Sequence, residues 1–213
     1  MKTRSAQQLF HYWNSKRAES GLPRRTDIEP ADILPVLPET MILQATRQEQ
    51  DMTFRLAGTQ ISALFGRELR QQSLHDLLPK SNQALLRRLM RSCADEQAVV
   101  LVGIEARSRS GRIVDVEMLF LPLQREHDGA RILGVVAPLA HPFWIGLEPI
   151  VSTSLQSVRV VDPDKEPLYL ANRPEVPMPP ALAPVEEALV GEAATRARGA
   201  HLTVIPGGRT LQD

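Results

Sequence analysis

Few side chains here combine the types and spacing that chemistry requires. His75 stands beside Asp76 in Ser73-Leu74-His75-Asp76. An imidazole can take an axial position on haem iron, but a lone histidine on a short helix reads first as a surface or capping residue. Cys93 is the single cysteine. Asp95 and Glu96 beside it would raise a thiol pKa, which disfavours a nucleophile or redox switch. One cysteine also excludes an intramolecular disulfide framework and a Cys-based zinc site. His127 beside Asp128-Gly129 reads as turn chemistry; His141 precedes a proline and His201 lies near the tail, with no metal-ligand spacing. No serine sits in a nucleophile elbow and no glycine cluster could cradle a phosphate. The residues describe a binder and not a catalyst.

Charges set inside apolar strands are more informative. Arg55 lies in Phe54-Arg55-Leu56-Ala57-Gly58-Thr59 and Glu117 in Val116-Glu117-Met118. A charge in such a place is paired or reaches solvent. Two readings stand: Arg55 and Glu117 meet across the sheet or at its helix-covered edge, or each faces water. Arg67-Glu68, just after Gly66, could hold a polar group at a pocket mouth; a local helix-end ion pair is the simpler reading. A pocket would be lined by Leu56, Ile61, Leu64, Phe65, Leu77, Leu85 and Leu89 from helices, and by Val102, Ile104 and Val116 from strands. The same residues could fill the space as plain core. An aliphatic lining calls for a small, largely apolar ligand.

The elements that would position these residues follow from periodicity. Residues 5–18 form an amphipathic helix whose stripe is Leu9, Phe10, Tyr12 and Trp13, ended by Gly21-Leu22-Pro23. That stripe must cover its own sheet or the same surface of a second subunit. Helical turns near Pro30 and over 32–37 precede strands at 40–46 and 52–57. Short helices at 59–65 and 73–78 lead to a longer one at 81–94, with Leu85, Leu86, Leu89 and Met90 on one face. Strands at 99–107 and 112–123, joined by Ser108-Arg109-Ser110-Gly111, and at 131–139 complete an α+β fold with a five-stranded antiparallel sheet, helices on one face. Val114, Val116, Met118 and Phe120 alternate with Leu119, Leu121 and Leu123, so both faces are covered. Residues 1–38 are the N-terminal helix and cap, 39–145 the core domain, and 146–213 a C-terminal extension. In that extension 155–161 could add a strand, 174–184 hold five prolines and read as a linker, 186–198 form a short helix and 201–205 a docking strand.

Composition bounds the partners. The 213 residues are 43% hydrophobic but only 4% aromatic, with 25 basic and 25 acidic residues. A zero net charge argues against nucleic acid, and the clusters Lys2–Arg25 and Arg87-Arg88-Arg91 read as solvated helix faces. No apolar run reaches membrane-spanning length and no leader is evident, so the expected location is the cytoplasm.

The order of elements resembles a PAS domain, and the motifs resemble a group of proteobacterial stand-alone PAS proteins. The pattern is Tyr12-Trp13, Leu22-Pro23-Arg24-Arg25-Thr26-Asp27-Ile28-Glu29-Pro30, Phe54–Thr59, Phe65-Gly66-Arg67-Glu68, Glu117 with Leu121-Pro122-Leu123, Ile132-Leu133-Gly134 and Pro142-Phe143-Trp144, over residues 5–145, with a family-like ending at 201–208. The resemblance implies a cytoplasmic sensor or adaptor, often dimeric, that acts by binding. It carries over no cofactor. His75 lies where some PAS domains place a haem ligand, but haem remains disfavoured. Flavin chemistry fails because Cys93 lies in Arg-Ser-Cys-Ala-Asp, not in an Asn-Cys-Arg-Phe-type context. The expectation is a PAS-type signalling protein that binds a small apolar ligand or a partner and acts by conformational change or as a homodimer through its N-terminal helix. The alternative is a ligand-free scaffold docked in a regulatory complex.

Overall fold

Thr3 accepts the Ala6 N–H on its hydroxyl at 3.3 Å and so caps helix α1 (Arg4–Ser20). The structure, a computed structural model, describes residues 1–46, 51–161 and 163, all within the compact unit Met1–Asn172. The linker, helix and strand expected over 174–205 lie outside the described residues. After α1, three short 3-10 turns (Arg25–Asp27, Pro30–Ile33 and Leu37–Glu39) lead into β1 (Thr40–Ala45) and β2 (Met52–Ala57). Helix α2 (Thr59–Phe65), a 3-10 turn (Leu74–Leu77) and helix α3 (Lys80–Asp95) form the central block. Strands β3 (Val99–Ser108), β4 (Ile113–Pro122), β5 (Arg131–Pro138) and β6 (Ile150–Val161) follow.

The strands form one sheet in the order β2-β1-β5-β4-β3-β6, antiparallel at every step. The sheet has six strands where five were expected. β6 is twelve residues long, beginning five residues before the candidate strand at 155–161. Its composition hid it: Ser152, Ser154, Gln156 and Ser157 are exposed, while Leu155 and Val158 pack on the core. Edge strands need only one apolar row, so the hydrophobic signal is thin. Thr153 hydroxyl donates to the Leu77 carbonyl and ties this edge to the helical block.

Both sheet faces are covered, as the double apolar pattern of β4 requires. On the inner face Met41, Leu43, Phe54, Val102, Ile104, Met118 and Phe120 pack against Ile61, Leu74, Leu86, Met90 and Cys93 of the central block. On the outer face Ile42, Leu119, Leu121, Leu133 and Val135 meet Ala6, Leu9, Phe10 and Trp13 of α1, with Ile33 and Val36 from the turns. The α1 contacts recur at i, i+3, i+4 and i+7, one continuous stripe. Leu9, Phe10 and Trp13 are therefore spent on the chain's own sheet. Of the two coverings open to the stripe, the structure shows the first: the sheet face opposite the central block is itself apolar and offers a surface within the same chain. Tyr12 sits at the border, where its hydroxyl accepts the Glu29 N–H at 2.9 Å.

Two polar contacts fix where α1 lies. Trp13 Nε1 donates to the Pro122 carbonyl at 2.8 Å, deep in the outer core. At the other end, the buried Glu117 carboxylate accepts from Lys2 N (2.9 and 3.0 Å), Thr3 N (2.9 Å) and Thr3 Oγ1 (2.8 Å). A negative group at a helix N-terminus also meets the positive end of the helix dipole. Arg55 plays no part, because β1 and β5 lie between β2 and β4. The expected Arg55–Glu117 pair is absent: Arg55 is exposed and Glu117 is satisfied by backbone.

Two stability measurements follow. In urea denaturation Glu117→Ala should cost about 2–4 kcal/mol, because it removes charged hydrogen bonds and strands buried N–H groups, while Arg55→Ala should stay within about 0.5 kcal/mol of the parent. Trp13→Ala should cost about 3–5 kcal/mol. A loss below 1 kcal/mol for Trp13→Ala would place α1 off its sheet in solution.

Candidate functional site

Helix α2 is short and both its ends are set by glycine. Gly66 takes a left-handed conformation (φ 62°); its N–H bonds the Ala63 carbonyl and the Arg67 N–H reaches back to the Ser62 carbonyl at 3.1 Å. A Cβ at Gly66 would lie 2.4 Å from Cβ of Pro149. At the start of the helix, a Cβ on Gly58 would lie 2.1 Å from the Pro38 carbonyl oxygen. Absent side chains thus let α2 press onto neighbouring backbone at one end and onto the β5–β6 connection at the other.

Of the ten residues expected to line a pocket, Ile61, Leu64, Phe65, Leu77, Leu89, Val102, Ile104 and Val116 are buried together in the inner core. Leu56 and Leu85 are not; they are 39% and 42% exposed. Leu56 is turned out by a bulge. Ile42 pairs with Leu56 and Leu43 with Phe54, so Arg55 is the extra residue and the alternation reverses. Leu85 lies on the flank of α3, whose buried row is Leu86, Leu89, Met90 and Cys93. Arg67 and Glu68 are exposed, and Glu68 accepts the Arg70 N–H at 3.0 Å in place of the expected ion pair with Arg67.

An apolar cleft of about 230 Å³ opens where α2 meets β5 and the β5–β6 connection. Gln60, Ala63 and Leu64 form the α2 wall, Val136 and Pro138 the strand wall, and His141, Ile145 and Gly146 the connection. Of the expected lining, Leu64 alone borders this cleft. Sequence patterning missed the rest because the wall comes from a turn-rich connection with no periodicity. That connection is anchored by buried Trp144, while Phe143 and Leu147 are 79% and 78% exposed. Arg112 lies over the Phe143 ring, 5.0 Å from its centroid, and pairs with Glu148 at 2.9 Å.

His75 is buried, with 2% of its surface exposed, which corrects the surface reading. It does not cap its turn; Ser73 does, accepting the His75 N–H on its hydroxyl at 3.2 Å. His75 Nδ1 lies 3.4 Å from Asp51 Oδ1, which also accepts from Arg87 Nε at 2.9 Å. Nε2 is buried without a hydrogen-bond partner. Burial holds the imidazole below its ordinary 6.5, with the nearby Asp51 carboxylate opposing that shift. Cys93 is fully buried on the inner face of α3, and burial, not the neighbouring carboxylates, pushes its thiol pKa up. The thiol is therefore protonated and shielded. Among the described residues no three His, Cys, Asp or Glu side chains converge as metal ligands, and no helix is long and apolar enough to cross a membrane.

The depressed His75 value makes stability depend on pH. Below about pH 6.5 the unfolded chain binds a proton that the folded chain refuses, so stability falls with falling pH and levels off beneath the folded-state value. Denaturation between about pH 5 and 7 should show this slope in the parent chain and a shallower one in His75→Gln. Equal slopes would remove His75 as the cause.

A search of curated proteins finds no match to this chain. A family model described as a PAS domain matches residues 1–137, a span that covers α1, the central block and β1 to β5 almost to its end. The antiparallel sheet, the helical block on its inner face and the N-terminal helix on its outer face agree with that match. The chain therefore belongs to the PAS-domain family, a family of sensory and signalling modules.

Proposed function

We propose that the chain is a cytoplasmic, non-enzymatic sensor that binds a small, largely apolar molecule in the cleft between α2 and β5 and passes the signal to a partner protein or a second copy. The cleft carries this reading. It is apolar, borders the inner core, and has one wall made by the connection that exposes Phe143 and Leu147. A ligand there would favour one packing of that connection over another and so change the surface presented. At about 230 Å³ the cleft lies just below the usual range for drug-sized ligands, which suits a small guest. The exposed Phe143 and Leu147 also favour a second reading, a ligand-free interaction scaffold. In that case they would be the contact itself.

Thermal unfolding with a series of linear alcohols from butanol to decanol separates the two. The sensor reading expects a saturable rise in Tm, about 2.7 kcal/mol of stabilisation at a hundredfold excess over Kd, lost in Ala63→Trp, which fills the cleft from an exposed helix position. No rise with any member, together with no small-molecule adduct in native mass spectrometry of the purified protein, would favour the scaffold.

A further inference from the structure

The apolar cleft beside α2 has a charged neighbour. Glu39 ends the 3-10 turn Leu37–Glu39, immediately before β1. β1 pairs with β5 through Thr40↔Val135 and Met41↔Gly134. Carried back by one residue, this antiparallel register sets Glu39 against Val136, a residue of the cleft's strand wall. Side chains alternate across a strand, so Glu39 shares the inner face with Met41, which packs in the inner core. Gly58 brings the start of α2 down on the same turn: its N–H donates to the Thr40 carbonyl at 2.8 Å, and a Cβ on it would collide with the Pro38 carbonyl.

The Glu39 carboxylate is poorly satisfied where it stands. Among the described residues its ion-pair partner is His141, with Oε1 3.8 Å from Nε2, beyond hydrogen-bond distance. The Glu39 side chain is 9% exposed and that of His141 67%. His141 itself lines the cleft, which puts the carboxylate at that edge of it. Glu117, also buried, shows the contrast: it accepts from Lys2 N, Thr3 N and Thr3 Oγ1. A buried carboxylate without such donors is costly, and an imidazole standing largely in water offsets little of that cost.

We infer that the cleft takes a short linear alkylammonium ion, its ammonium on Glu39 and its chain along Leu64, Val136 and Ile145. The inference rests on the reading of this cleft as the site of a small, largely apolar guest, and adds the chemistry of the guest's head group. A primary ammonium brings three donors and the positive charge that this edge of the cleft lacks. An alcohol of the same length meets the same apolar walls but offers one neutral donor. The matching carboxylate is repelled.

The test is titration of the full, ¹⁵N-labelled chain at neutral pH and fixed ionic strength with hexylamine, hexanol and hexanoate, followed through the amide resonances of Ala63, Leu64 and Gly146. Saturable shifts are expected, with Kd about tenfold lower for hexylamine than for hexanol and highest for hexanoate. Glu39→Gln, nearly isosteric, should abolish the preference for the amine and leave hexanol binding in place. His141→Lys changes an exposed side chain and sets a permanent cation beside Glu39; it should weaken hexylamine about fivefold more than hexanol. The dispersion of the same spectra reports that each variant is folded, and His141→Lys carries the test if Glu39→Gln is not. Equal affinity for amine and alcohol, a preference that survives Glu39→Gln, or equal weakening of both ligands in His141→Lys would overturn the role of Glu39 and leave the apolar cleft standing. Absence of saturable shifts with all three ligands would overturn both readings.

Discussion

A sheet that is apolar on both sides has to be covered twice, and that constraint governs everything else here. Leu119, Leu121, Leu133 and Val135 face α1. Exposing them would cost about 6–12 kcal/mol at 1.5–3 kcal/mol per side chain, comparable with the whole stability of an ordinary domain. Wholesale undocking of α1 would therefore resemble unfolding more than signalling. The helix is a structural half of the core that happens to come first in the chain. Under the sensor reading proposed above, the part free to change is a smaller one, the β5–β6 connection beside α2.

The inner face obeys the same rule with a different outcome. Side chains from α2, the Leu74–Leu77 turn and α3 pack against residues of all six strands. A close-packed protein core accommodates a guest most cheaply at its border, where fewer contacts must be given up. The α2–β5 cleft lies at such a border. Its shape depends on two glycines whose missing Cβ atoms bring α2 against Pro38 and Pro149. The exposed aromatic and aliphatic side chains of the connection stand one short loop away from it.

Local pattern made much of this legible. The α1 stripe, the α2 boundaries, the inner row of α3 and the doubled apolar pattern of β4 each follow from side-chain period, and the ordered motifs point to the family. The misses share a physical origin: they depend on pairings between residues far apart in sequence. Glu117 finds its donors 114 and 115 residues away, so its apolar surroundings were visible but its partner was not. Nothing in Phe54-Arg55-Leu56 marks Arg55 as the supernumerary residue, since a bulge is defined by the opposite strand. His75 is buried because Asp51 and Arg87 arrive from β2's approach and from α3, which a lone histidine beside an aspartate does not reveal.

The outermost strands carry one more consequence. A regular, unpaired strand edge is a template on which further chains can grow. β2 ends the sheet with a bulge at Arg55 and an outer edge partly covered by the next segment, where the Phe54 N–H donates to the Gln72 carbonyl and the Phe54 carbonyl accepts the Gln71 N–H. β6 has two irregularities, opposite Gly103/Ile104 and Arg107/Ser108. Its serines and glutamine face water between them. Each break twists the free edge away from the flat geometry that stacking into fibrils requires. In a chain with so little net charge to keep its copies apart, such raggedness works against edge-to-edge association.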